Sequence, residues 1–217
     1  MNSHLDFDLQ LPDLSGLEFR TTQTDAELNE VMQCQWRGYK KYGFSDPSAC
    51  RDIFDDRATQ YLCQDSKSKQ TLGCLRLLAN SARPFEVETY LDCSGWLPGE
   101  MSVAELTRFS VPTCKRLSAI KFGLWKLAWL DAIAQGHTHF LIWTTEQKKR
   151  MYEYLGFAPY PNHSAAFLHP VLGNNSHVVM LVDLTTVSDL FQRTRPELHQ
   201  FFFVIKHPNI HSSTGQA

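Results

Sequence analysis

Short apolar runs alternate along this chain with amphipathic stretches of helical period, and that alternation lays out its elements. Leu17 and Phe19, flanking Glu18, predict an opening strand over 17–22. A helix capped at Thr24 or Asp25 follows, running from about Ala26 to Lys41. Along it Leu28, Val31, Met32, Trp36 and Tyr39 keep helical spacing, and Gly43 closes the segment. A polar loop through Asp46, Pro47 and Arg57 leads to a brief strand at 60–64. The polar turn 66–70 then feeds an apolar strand over 71–78 that carries Arg76 among Leu75, Leu77 and Leu78, so the two strands read as a hairpin. Residues 80–100, with Pro84, Gly95, Pro98 and Gly99, form a connection of the length that in compact domains commonly carries function.

The pattern resumes with a strand over 103–111, stopped by Pro112. From Leu117 to Gln135 the period is helical, with Leu117, Ile120, Leu124 and Leu127 on one face. Phe122, Trp125 and Trp129 broaden that face, which predicts a largely buried helix with Gly136 as its C-cap. Phe140 to Trp143 is the next strand, and Thr144 with Gln147 resembles a capping box opening a helix through Met151, Tyr152 and Leu155. A last strand is predicted over 178–184, then a short helix from Thr185 or Thr186 through Leu190 and a short segment at 198–204. This order predicts an α/β (α+β) class, a mixed sheet with helices on both faces. The expected organisation is one domain over 1–206 and a disordered polar tail over 207–217.

Composition narrows the function. The 217 residues are 43% hydrophobic and 20% charged with a formal net charge of -2, so the chain lacks the basic footprint of a general nucleic-acid binder. Six cysteines lie scattered without a C-x-x-C pair, which signals neither zinc nor a redox motif and fits reduced thiols in a cytoplasmic protein. His137 and His139 share a face of a strand start, but no third ligand stands at a telling spacing, so no metal is expected. Residues 1–16 carry Asp6, Asp8 and Asp13 and lack the basic start of a signal peptide. No apolar run approaches the roughly 20 residues that span a bilayer, so no stable membrane insertion is expected.

Two stretches resemble a known family. V-A-E-L-T-R-F-S-V at 103–111, a long helix, a strand, and M-Y-E-Y-L-G-F at 151–157 look like the core of the GNAT acyltransferases, in which a thioester lies between two splayed parallel strands. Within that superfamily the chain is similar to the LuxI-type acyl-homoserine-lactone synthases. Three motifs carry this: Asp52-Ile53-Phe54-Asp55 followed by Tyr61-Leu62, Gly73-Cys74-Leu75-Arg76-Leu77-Leu78, and Glu105-Leu106-Thr107-Arg108-Phe109. Their spacing matches over residues 25–111. Three positions depart: Cys34 stands where the family usually has arginine, Phe44 where it has tryptophan, and Ala104 where a tryptophan precedes the E-x-x-R pair. These bear on the S-adenosylmethionine site and leave the acyltransferase reading intact. The related N-acyl amino acid synthases keep the fold and acylate an amino acid instead.

The resemblance implies an acyl-phosphopantetheine thioester as donor, on an acyl carrier protein or coenzyme A, and a small-molecule amine as acceptor, with no tightly bound cofactor. The acceptor is S-adenosylmethionine in an acyl-homoserine-lactone synthase, or an amino acid in the alternative; a non-catalytic carrier-binding module is the third possibility. The glycine-rich coenzyme A turn is replaced by Pro112-Thr113-Cys114-Lys115-Arg116-Leu117-Ser118, so its amides wrap a pyrophosphate less readily. Lys115 and Arg116 either meet the acidic surface of a carrier protein or are solvated charges near the helix start.

Resemblance also implies that main-chain N–H groups near Phe109 and Ser110 contact the developing oxyanion. Glu105 either receives the amine proton, through water, or joins Arg108 and Arg76 in a buried ion network. Glu105 and Arg108 differ by three positions, so a regular strand sends them to opposite faces and a bulge within 105–110 returns them to one. Arg76, in an apolar strand, requires a carboxylate from Glu105, Asp52 or Asp55, and resemblance has Asp52 and Asp55 face the acceptor's positive charge. Phe44, Trp143 and Thr144 are further expected contacts of the substrate. Leu124, Trp125, Ala128, Ile142, Trp143, Met151 and Tyr152 are for the most part expected as plain core, or else as the walls of an acyl pocket whose large side chains suit short or medium chains.

Overall fold

A computed structural model describes residues 11–79, 81, 83–92, 101–112, 116–160, 167–169 and 176–213. The chain opens with β1 (Leu17–Thr21) and α1 (Asp25–Tyr39), whose N-terminus is capped as predicted: Thr24 Oγ1 accepts the Glu27 N–H at 3.2 Å. A turn of 3₁₀ helix at Pro47–Cys50 and another at Asp55–Arg57 lead into the hairpin of β2 (Thr59–Asp65) and β3 (Thr71–Ala79). Asp65 closes that hairpin by accepting the N–H groups of Lys67 and Ser68, a side chain doing the work of a backbone turn. β4 (Val103–Ser110), α2 (Leu117–Ala134), β5 (His139–Thr145) and α3 (Glu146–Tyr154) follow in the predicted order. Gly136, with φ of +76°, ends α2 in the left-handed conformation that favours glycine.

The remaining elements are β6 (Ala158–Pro159), β7 (Phe167–Leu168), β8 (Ser176–Asp183), α4 (Val187–Thr194), α5 (Pro196–His199) and β9 (Ile210–His211), with a π-helical turn at Gln200–Val204. The nine strands form one mixed sheet in the order β6-β8-β5-β4-β3-β2-β1-β9, with β7 also on β8. α2 packs on one face against β1, β2 and β3, and α1 on the other against β3 and β4. Among the described residues, no helix is long and apolar enough to cross a membrane.

Two expectations are corrected. Thr145, not Thr144, stands at the N-cap of α3 and no side chain caps it, because Thr144 is still paired in β5 opposite Val178. The ending expected to be disordered from 207 is instead built into the fold as far as 213. Ile210 and His211 pair in parallel with Phe19 and Arg20. Asn209 Nδ2 donates to the Leu14 and Leu17 carbonyls at 2.8 and 2.7 Å, and the buried Asp131 accepts the Ser213 N–H at 3.0 Å. These donors satisfy acceptors that an unpaired edge and a buried acid would otherwise leave orphaned.

Two irregularities of β4 position the site. Its parallel pairing with β5 stops after three rungs, Val103 with His139, Ala104 with Phe140 and Glu105 with Leu141. On its other edge, β3 advances from Arg76 to Cys74 while β4 advances from Thr107 to Ser110, so β4 carries one extra residue. This is the bulge predicted within 105–110, and Arg108 sits in it with φ of +53°.

Candidate active site

Where β4 and β5 part, a cleft of about 400 Å³ opens. Thr107, Arg108, Phe109 and Ser110 line it from β4, and Ile142, Trp143, Thr144 and Thr145 from β5. Beyond Glu105 the β5-facing backbone edge of β4 has no strand partner among the described residues, so main-chain groups of 106–110 face the gap. Aromatic rings floor it: Trp125 packs edge to face on Phe109 and on Tyr152, each at 5.7 Å between centroids. Burial pushes the Tyr152 hydroxyl's pKa up, so this group stays protonated. Four cationic residues, Arg37, Lys41, Arg108 and Lys148, line the cleft, Arg37 with its Nη2 donating to the Thr71 carbonyl at 2.8 Å, and no carboxylate lines it among the described residues.

Behind the β4 wall lies a buried ion network. Arg76 is fully buried and uses all three guanidinium nitrogens: Nε donates to Thr107 Oγ1 at 2.9 Å, Nη1 to Asp52 and Asp55 at 2.7 and 2.8 Å, and Nη2 to Glu86 at 2.6 Å. Engaging all three nitrogens, with three carboxylates among the acceptors, is what makes a buried guanidinium tolerable. Arg108 Nη2 donates to Asp52 Oδ2 at 2.6 Å and stands 3.4 Å from Glu86 Oε1. Its buried Nε finds no partner among the described residues.

Glu105 sits deeper still. Its carboxylate accepts the N–H groups of Glu86 at 2.6 Å and Val87 at 3.0 Å, and Trp143 Nε1 at 3.1 Å. Burial, then the charge of Glu86, push its pKa up to about 8 against the pull of those backbone donors. For Asp52 burial works upward too, but the hydrogen bond and charge of Arg76 with the charge of Arg108 outweigh it and hold the acid below the usual carboxylate range.

The structure thus sorts the expected residues. Arg108, Phe109, Ser110, Trp143 and Thr144 stand on the cleft wall. Asp52, Asp55 and Arg76 do not: the acids expected to face the acceptor are engaged by arginines, and Asp55 also takes Gln60 Nε2 at 2.8 Å and the Asp52 N–H at 2.9 Å. Glu105 is not on the wall either, and its partners are two backbone amides and the Trp143 indole where Arg76 or Arg108 was the expected alternative. Phe44 approaches only through Tyr39, whose ring lies 5.9 Å from its own. Of the expected acyl-pocket residues, Trp125, Ile142, Trp143 and Tyr152 reach the cleft, while Leu124, Ala128 and Met151 belong to the core. Lys115 lies outside the described residues. Arg116 donates through Nη2 to the carbonyls of Ser15 and Asp13, stapling the stretch before β1.

Several cleft residues carried no sequence signal as such: Arg37, Tyr39, Lys41, Lys148 and His177. Glu86 was also missed, although it lies in the connection flagged for its length and Arg76's need for carboxylates pointed toward some such acid. His137 and His139 spend Nδ1 on Ser102 and Thr138 hydroxyls at 3.1 and 2.8 Å, and no cluster suited to a metal occurs among the described residues.

No family model and no curated protein matches this chain. Solved structures do. The chain is similar to FeeM, an N-acyl amino acid synthase from uncultured soil microbes, at 14% identity and a TM-score of 0.65, covering 80% of this chain and 93% of that one. It is similar to BjaI, a CoA-dependent acyl-homoserine lactone synthase, at 16% identity and a TM-score of 0.60, covering 82% and 89%. An aminoglycoside 6'-acetyltransferase type Ii aligns at 12% identity and a TM-score of 0.53, covering 76% and 96%. The fold is therefore GNAT-like: a mixed, splayed sheet with helices on both faces.

Proposed function

We propose that this protein is an N-acyltransferase that moves an acyl group from a phosphopantetheine thioester onto the amine of an amino acid. The observation that carries this reading is the charge of the cleft. Its cationic lining suits a substrate that brings a carboxylate and a donor that brings a phosphate. Arg108 lines the cleft with carboxylates on Nη2 alone, so its guanidinium keeps N–H groups for a carboxylate oxygen.

The chemistry follows from the walls. The thioester carbonyl enters where β4 and β5 part, and the freed β4 edge near Phe109 and Ser110 supplies N–H groups to the oxygen as charge develops there. The neutral amine attacks, the new C–N bond forms, and collapse of the tetrahedral centre breaks the C–S bond. Tyr152 gives its proton to the departing thiolate as the C–S bond breaks, and regains one, through water, from the imidazolium that His177 becomes on taking the amine's proton. His177, the imidazole on the wall, is placed to take the proton the amine releases. A carrier-protein donor fits the missing glycine-rich turn better than coenzyme A does, because its pantetheine carries a single phosphate.

S-adenosylmethionine as acceptor finds less support. It brings the same carboxylate as an amino acid but adds a sulfonium, and Asp52 and Asp55, the acids that would receive that extra charge, are held by Arg76 and Arg108. The deciding experiment supplies an acylated carrier protein with either a mixture of amino acids or S-adenosylmethionine, follows thiol release, and identifies the product by mass. Release with amino acids is expected. Release only with S-adenosylmethionine selects the lactone synthase, and silence with both leaves a carrier-binding module.

A further inference from the structure

We infer that Glu86 is the positioning residue for acceptor recognition: it fixes the guanidinium of Arg108 on the cleft wall, and Glu105 in turn fixes Glu86. The inference rests on the amino-acid reading of the acceptor and names what tunes its affinity.

Three observations converge on Glu86. Arg108 takes the left-handed backbone of a bulge, φ +53°, which costs a non-glycine residue free energy and persists only where its surroundings hold it. They hold it from two sides, Asp52 from the loop after α1 and Glu86 from the stretch after β3, both on Nη2. Both act on one nitrogen of a residue that lines the cleft, and the buried Nε has no partner among the described residues. A guanidinium gripped at one nitrogen by two carboxylates cannot swing, so its remaining N–H groups are aimed before the ligand arrives.

Glu86 serves both arginines: it accepts Arg76 Nη2 at 2.6 Å, while Asp52, Asp55 and Thr107 take that guanidinium's other two nitrogens. Asp52, Asp55 and Glu86 outnumber Arg76 and Arg108, and the surplus falls on Glu105, whose carboxyl is driven upward by burial and then by Glu86's charge. Glu86 also has its backbone anchored: Glu105 accepts its N–H, and the next residue's as well. A 1% exposed acid that worsens the local charge balance yet is fixed on both main chain and side chain is a positioning device.

The test uses the full chain carrying Glu86→Gln, with an amino acid and the corresponding amino acid amide as acceptors. Loosening Arg108 should raise KM for the amino acid about tenfold, the scale of one charge-assisted hydrogen bond, with little change in kcat. The amide has no carboxylate for Arg108 to hold, so its kinetics should not move. In the same variant, carboxyl-carbon NMR should show Glu105 titrating at lower pH than in the wild type. Equal losses for both acceptors, or an unchanged KM for the amino acid, would overturn the inference. Should Glu86→Gln fail to fold, Glu86→Asp retains the charge one methylene short and should raise the same KM by a smaller factor; no change there also counts against it. A wild-type enzyme that acylates no amino acid removes the acceptor reading and this inference together, whereas an active wild type with an indifferent variant removes this inference alone.

Discussion

Glu105 Oε2 accepts the backbone N–H of Glu86 at 2.6 Å across 19 residues of sequence, so the acid of the E-x-x-R motif grips the chain segment that supplies the arginines with their third carboxylate. This ties β4 to the stretch after β3 without either acid reaching the cleft. It also makes Glu105 a proton-binding site inside the fold.

That site gives stability a pH dependence with a definite sign. The folded-state pKa, about 8, lies above the ordinary value of 4.5, so the folded chain holds a proton that the unfolded chain has released between those limits. The contribution is fully present below about pH 4.5 and is lost as pH rises through about 8. Glu105→Gln keeps the shape and removes the titration. Denaturant unfolding across this range should show wild-type stability falling relative to the variant as pH rises; parallel pH profiles would mean that Glu105 does not titrate there.

Gly38 faces the end of β4, where a Cβ would stand 2.3 Å from Ser110 Oγ. The hydroxyl is not free to yield, because it donates to the Cys34 carbonyl at 3.1 Å and so locks α1 onto the bulge. Gly38→Ala should therefore destabilise the protein by about 1–3 kcal/mol, the usual cost of overpacking, and lower activity by shifting the wall that Gly38 and Ser110 share. Adding Ser110→Ala removes the clashing oxygen and leaves the nearest contact at 3.5 Å, so the double variant should recover much of the loss. A single variant as stable as wild type would show that α1 and β4 are not in this contact.

How much of this was readable beforehand depended on range. The hairpin, α2 and the cap at Gly136 rest on local periodicity and turn chemistry, which the sequence states outright. The bulge was legible because Glu105 and Arg108 had the wrong parity for a shared face. Arg76's need for carboxylates was legible because a guanidinium in an apolar strand has few alternatives. Glu86 was not, since nothing local marks an acid whose partners lie 10 and 22 residues away on strands not yet assembled. The same holds for β6, β7 and β9, each two residues long and formed only because a longer strand already presents an edge. Asp52 and Asp55 show the converse: motif and spacing single them out, yet which cation they meet is decided by tertiary packing.

Tyr152 offers a test of the leaving-group step that is independent of the acceptor. Its ring is wedged against Trp125 and Phe157, at 5.7 and 5.8 Å, so Tyr152→Phe should keep its place and lose only the hydroxyl. If that hydroxyl protonates the departing sulfur, kcat with an alkyl thioester should fall about 100-fold while donor KM stays nearly constant, because the interaction belongs to the transition state. An aryl thioester releases a thiolate that is stable without a proton, so it should lose far less in the same variant. The ratio of alkyl to aryl rates separates this role from simple packing, which would slow both donors alike. Equal losses for the two thioesters, or none for either, would take the proton donor elsewhere on the cleft wall.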